Sequence, residues 1–178
     1  MITGRWMFIS FVASTMLGAS ALAMAGEKLG TKLRGFQEVP AISTAGSGEF
    51  RGKISKDETS IEYELSYSGL EGGDVLFAHI HLGQLGVNGG VIVFLCSNVS
   101  VPVTTPACPT PSGTVRGMVT ASDVIGPAGQ GITAGEFVEL LNAIRRGASY
   151  ANLHTAAFPS GEIRGQIRKG NGQIRKLR

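Results

Sequence analysis

Three histidines, His79, His81 and His154, are the only ones in the chain and the side chains best suited to chemistry. Neutral imidazole is the commonest transition-metal ligand and suits zinc, copper or nickel. His79 and His81 lie in Phe77-Ala78-His79-Ile80-His81-Leu82-Gly83, and His154 closes Tyr150-Ala151-Asn152-Leu153-His154. Both stretches read as strands. Side chains alternate with period two, so Phe77, His79 and His81 share a face, as do Tyr150, Asn152 and His154. Two histidines at i and i+2 can aim at one ion, and a third from a neighbouring strand completes a three-nitrogen face with one position open. The expected ligand set is His79, His81 and His154 around a single copper or zinc ion. Asn152 stands where His79 stands in the other stretch, so it could orient a ligand from behind or pin a backbone group. Glu38 and Asp74 are candidate extra ligands by residue type alone. The competing reading makes the histidines hydrogen-bonded structural residues.

Other chemistry finds little support. The chain has no Gly-x-Ser-x-Gly elbow, no carboxylate pair marked by spacing, and no Gly-rich turn leading from a strand into a helix with a following Lys. The expectation is a non-catalytic binding or structural module. Its sheet face and the loop 83–90, with four glycines, would meet a protein or glycan ligand. The alternative is a small metal-dependent enzyme, redox or hydrolytic, working at the open position. A formal net charge of +3 is too small to imply a nucleic-acid partner.

The elements that must position the histidines are mostly short strands. Residues 48–54 alternate, with Phe50, Gly52 and Ile54 against Glu49, Arg51 and Lys53. Residues 60–68 do the same, with Ile61, Tyr63, Leu65 and Tyr67 facing inward. Residues 75–82 carry two histidines, 91–95 form a continuous apolar run, and 114–120, 149–155 and 162–167 complete the set. Residues 26–34 read as a lead-in. One helix is expected. Thr133 and Glu136 fit a capping box, Phe137, Leu140, Leu141 and Ile144 form an apolar stripe, and Gly147 follows Arg145 and Arg146 as a stop.

A hexapeptide recurs three times: Ser47-Gly48-Glu49-Phe50-Arg51-Gly52, Ser112-Gly113-Thr114-Val115-Arg116-Gly117 and Ser160-Gly161-Glu162-Ile163-Arg164-Gly165. The last glycine of each permits a close backbone approach or a bulge. Each Arg alternates with the apolar residue and is expected at the surface or rim. The predicted fold is all-β, an antiparallel sandwich or barrel of immunoglobulin-like or superoxide-dismutase-like kind, with one short helix.

Residues 1–25 have the order of a secretory signal: Arg5, an apolar run from Trp6 to Leu17, then Ala23-Met24-Ala25 before Gly26. Cleavage after Ala25 would leave an exported chain with no transmembrane segment, periplasmic or secreted. A retained N-terminal anchor is the alternative, though the run is short for a span. Residues 168–178 read as a flexible basic tail. In an exported chain, Cys96 and Cys108 are expected to pair as a disulfide across a Pro-rich loop, with a two-cysteine metal site as the competing possibility.

From Phe36 to about Ile167 the chain resembles a CHRD domain, the module named for chordin and common in exported bacterial proteins. The carrying residues are Gln37-Glu38-Val39-Pro40, Ala78-His79-Ile80-His81-Leu82-Gly83, the 96–108 segment, the 131–147 helix region, and Asn152-Leu153-His154-Thr155 with Gly161-Glu162-Ile163-Arg164-Gly165. The resemblance implies a β-rich extracellular module. The growth-factor partners of chordin do not carry over to a short single-domain chain. The His79-x-His81 strand also resembles that of copper/zinc superoxide dismutases. Three histidines are too few for their dinuclear centre, so this likeness is local.

Overall fold

The computed structural model describes Met1 and residues 26–170; residues 2–25, on which the expected signal falls, and residues 171–178 lie outside the described residues. Among the described residues nine strands and one α-helix follow in order: β1 (Lys28–Arg34), β2 (Ser47–Ile54), β3 (Ser60–Ser68), β4 (Val75–Leu82), β5 (Val91–Ser97), β6 (Gly113–Thr120), α1 (Phe137–Arg145), β7 (Ser149–Thr155), β8 (Ile163–Gln166) and β9 (Arg168–Lys169). The strands form one antiparallel sheet in the order β5-β4-β7-β8-β1-β2-β3-β6, with β9 beside β1. The sheet curls into a nearly closed barrel. The expected all-β antiparallel architecture with one short helix is thus observed.

The repeat explains the packing of β3. Its first two copies flank that strand: Gly48 and Gly113 stand opposite Tyr67, Phe50 and Val115 opposite Leu65, and Gly52 and Gly117 opposite Tyr63. Glycine beside each tyrosine makes room for an inward ring, and a Cβ at Gly117 would collide with the Tyr63 ring. The Tyr63 hydroxyl crosses the barrel to donate to the Leu95 carbonyl. Phe50, Leu65, Ile54 and Ile61 are essentially fully buried beside it. Each such side chain contributes about 1.5–3 kcal/mol by leaving water.

Three sequence expectations need correction. Residues 26–34 contain a full strand, since β1 pairs with β2 from Lys28↔Lys53 to Arg34↔Ser47 and buries Leu29, Thr31 and Leu33. The helix begins at Phe137 rather than after Thr133. Gly135, at φ 87°, interrupts the backbone, and only half of the capping box forms, with the Thr133 amide donating to the Glu136 carboxylate at 2.6 Å. Its end matches expectation as a Schellman motif: Gly147 is at φ 67°, its amide donates to Ile144, and the Ala148 amide donates to Ala143. Finally, Arg51 and Arg116 lie at the surface but Arg164 is buried. At the far end of the described residues, Arg168 and Lys169 pair with Gly30 and Leu29, and residues 171–178 of the basic tail lie outside them.

Cys96 and Cys108 form a disulfide between β5 and the loop preceding β6. The Ser97 amide donates to the Pro106 carbonyl, and Asn98 bonds Cys108 through both its side-chain oxygen and nitrogen.

Candidate functional site: a buried histidine layer

Strands β4, β7 and β8 are covered on both faces. One face, with Ala78, Ile80, Ala151, Leu153 and Ile163, belongs to the apolar core. The other holds the histidines and a polar, aromatic layer roofed by loops. Antiparallel pairing sets Phe77 opposite His154, His79 opposite Asn152, and His81 opposite Tyr150. His154 is therefore diagonal to His79, within reach on the same face. Ring centroids are 4.4 Å apart for His79–His154, 4.3 Å for His79–His81 and 6.3 Å for His81–His154. One nitrogen from each ring lies within 4.8 Å of the others.

Backbone carbonyls fix two of the rings. His81 Nδ1 is 2.8 Å from the Gly89 carbonyl oxygen and His154 Nδ1 is 2.9 Å from that of Pro159. A carbonyl only accepts, so both rings carry their proton on Nδ1 and keep a lone pair on Nε2. Those two Nε2 atoms, and Nδ1 of His79, are buried without a hydrogen-bond partner. Leaving buried polar atoms unpaired costs about 1–3 kcal/mol each, so three in one place call for a specific explanation.

The surroundings hold the rings neutral. Burial pushes His81 and His154 down to about 4 and His79 well below its usual value, and for His79 the two neighbouring histidines add to the effect. The residues are 3, 8 and 5% exposed for His79, His81 and His154. Phe77 packs against His79 and His154 at 5.1 and 4.7 Å, and Phe94 meets His79 edge-on at 5.3 Å. Tyr150 stacks on His81 at 4.6 Å, and the Arg164 guanidinium sits 3.4 Å from the Tyr150 centroid. Arg164 also donates to Asn88, Gln84 and Val87, which ties the 83–90 loop down over the layer.

The other sequence candidates fall elsewhere. Asn152 directs its amide hydrogens to Glu38 Oε1 at 2.6 Å and the Ile163 carbonyl at 3.1 Å, while the ring orientation comes from Gly89 and Pro159. Glu38 is buried against Asn152, and burial raises its carboxyl to about 7 despite that hydrogen bond and the nearby Arg164. Asp74 is exposed and 3.5 Å from the Thr110 hydroxyl. Among the described residues the metal-competent group consists of the three histidines alone. Sequence reading missed Arg164 and the two carbonyl orienters. The carbonyls have no side-chain signal, and Arg164 looks identical in sequence to its two solvated counterparts.

The molecule is an all-β barrel with one disulfide and a buried histidine cluster, and its CHRD domain supports a binding or structural module. The chain belongs to the CHRD domain family, whose sequence model matches residues 29–167. No curated protein and no solved structure matches it. The disulfide and the CHRD domain fit an extracellular location. Among the described residues no helix is long and apolar enough to cross a membrane.

Proposed function

We propose that this CHRD domain is an exported binding module that holds one copper or zinc ion on His79, His81 and His154. The observation that carries the reading is three histidines that each offer a ligand nitrogen within 4.8 Å of the others, each ring also having a buried nitrogen without a hydrogen-bond partner. The donor set fits such an ion: the rings are neutral, two have their tautomer fixed through the far nitrogen, and aromatic side chains exclude water. Arg164 sits in the outer shell and adds positive charge near His81, which further disfavours protonation of that ring. Export follows from the signal-like residues 1–25 and agrees with the disulfide.

The test is metal content by mass spectrometry on untagged protein from the exported fraction, either as isolated or stripped and reloaded with zinc or copper. About one ion per chain is expected by the four-coordinate rule. His81→Ala is expected to lose it while the far-ultraviolet circular dichroism persists. Absence of bound metal under every loading, or full retention in all three single alanine variants, would sink the site.

A further inference from the structure

We infer that the outer face of β1-β2-β3-β6 carries a second, independent site for an acidic polysaccharide segment. This deepens the binding-module reading without depending on the metal. A groove of about 470 Å³ crosses these four strands at one end. Register arranges its outward side chains in two rows. Arg34, Ser47 and Ser68 form one, and Lys32, Glu49, Ser66 and Thr114 the other. This shallow groove therefore joins two cations on β1 to the Glu49 carboxylate and to small hydroxyls across β2, β3 and β6.

The charges are available in an informative way. Glu49, the carboxylate nearest in register to Lys32, is held by Arg51 at 2.9 Å. Neither Lys32 nor Arg34 has a carboxylate within ion-pair distance among the described residues, whereas Arg51, Arg116 and Arg145 do. Two free cations beside a run of hydroxyls suit a ligand with carboxylates at intervals and hydroxyls between them. Four strands span about 14 Å, room for about three pyranose rings. A protein partner would favour an apolar centre, which this polar groove lacks.

The test is calorimetric titration of the untagged exported protein with tri-galacturonic acid, with maltotriose as the neutral trisaccharide and sodium sulfate as the simple anion. Saturable binding of tri-galacturonic acid, weakened at least ten-fold in Lys32→Ser/Arg34→Ser, is expected. Lys53→Ser/Arg116→Ser removes the same charge from the same sheet outside the groove and is expected to bind normally. Both variants change exposed side chains, and a thermal melt checks their fold. The proposal is overturned by no binding at millimolar ligand, by equal binding of maltotriose or displacement by equimolar sulfate, or by equal losses in both variants. Metal content is read separately on each sample, so failure here leaves the histidine site untouched, and the reverse.

Discussion

The same hexapeptide builds two different surfaces. In β2 and β6 its arginines stand in solvent with side chains 66 and 71% exposed, each paired to a single carboxylate, Glu49 or Glu64. In β8 the arginine is 1% exposed, stacked on Tyr150 and bonded to three loop residues. The residue two places before the arginine diverges in parallel. Glu49 lies at the surface, whereas Glu162 is fully buried and accepts from the Thr44 and Thr155 hydroxyls and the Glu71 and Gly72 amides. Local sequence sets the strand and its alternation. Whether the outward face meets water depends on what the rest of the chain lays over it. On β4-β7-β8 that cover is the 83–90 loop and the turn at Pro159. The covered half became the place where polar groups can be held dry and aimed.

Substituting equivalent positions in the two halves gives the sharpest test. Glu162→Ala and Arg164→Ala are each expected to lose about 3–5 kcal/mol in denaturant unfolding, because each strands several buried partners. Arg51→Ala and Arg116→Ala should stay within about 1 kcal/mol of the parent, as exposed ion pairs do. Similar losses in all four variants would erase the distinction between the halves.

The next effect is on pH dependence of the metal-free protein. Burial lowers His81 and His154 to about 4 in the folded state and His79 well below its usual value, against 6.5 for an ordinary histidine. Between those limits the unfolded chain binds protons that the folded chain refuses, so stability is full above about pH 6.5 and falls as pH drops towards 4. His81 and His154 can each account for on the order of 3 kcal/mol at the acid end. Proton NMR of the ring C–H signals should show His81 and His154 titrating near 4. Midpoints near 6.5 would place them in water and dissolve the covered layer.

A smaller effect of opposite sign belongs to Glu38. Its value, raised to about 7, gives a contribution that is complete below 4.5 and lost as pH rises through 7. Glu38→Gln keeps an oxygen for Asn152 and removes the charge. Its stability relative to the parent should improve by about 2–3 kcal/mol between pH 5 and pH 8. An unchanged difference across that range would show Glu38 to be solvated.

Most of the solvated half was legible in the sequence because alternation there is complete: β3 has the bounds that residues 60–68 suggested. Strand β1 escaped notice because Lys28-Leu29-Gly30-Thr31-Lys32-Leu33-Arg34 has one β-branched residue and an interior glycine, although Leu29, Thr31 and Leu33 do alternate. The three histidines were legible from their types and spacing. Their surroundings were not, since Glu38 meets Asn152 across 114 positions and the ring orienters are main-chain carbonyls. Arg164 could be placed only after the sheet had been assembled.

The barrel's seam has a consequence for how the protein can be made. Strands β5 and β6 end the sheet without pairing to each other. The β5 side is occupied by the Ile125 amide on Ile92, the Tyr63 hydroxyl on Leu95 and the Pro106 carbonyl on Ser97, the last held in place by the Cys96–Cys108 bond. An uncovered strand edge is a template for another chain. Thiol reduction frees the Pro106 segment and leaves the end of β5 open to a second molecule. Folding under reducing conditions should therefore give more edge-to-edge polymer than folding with the disulfide formed, as size-exclusion chromatography would show.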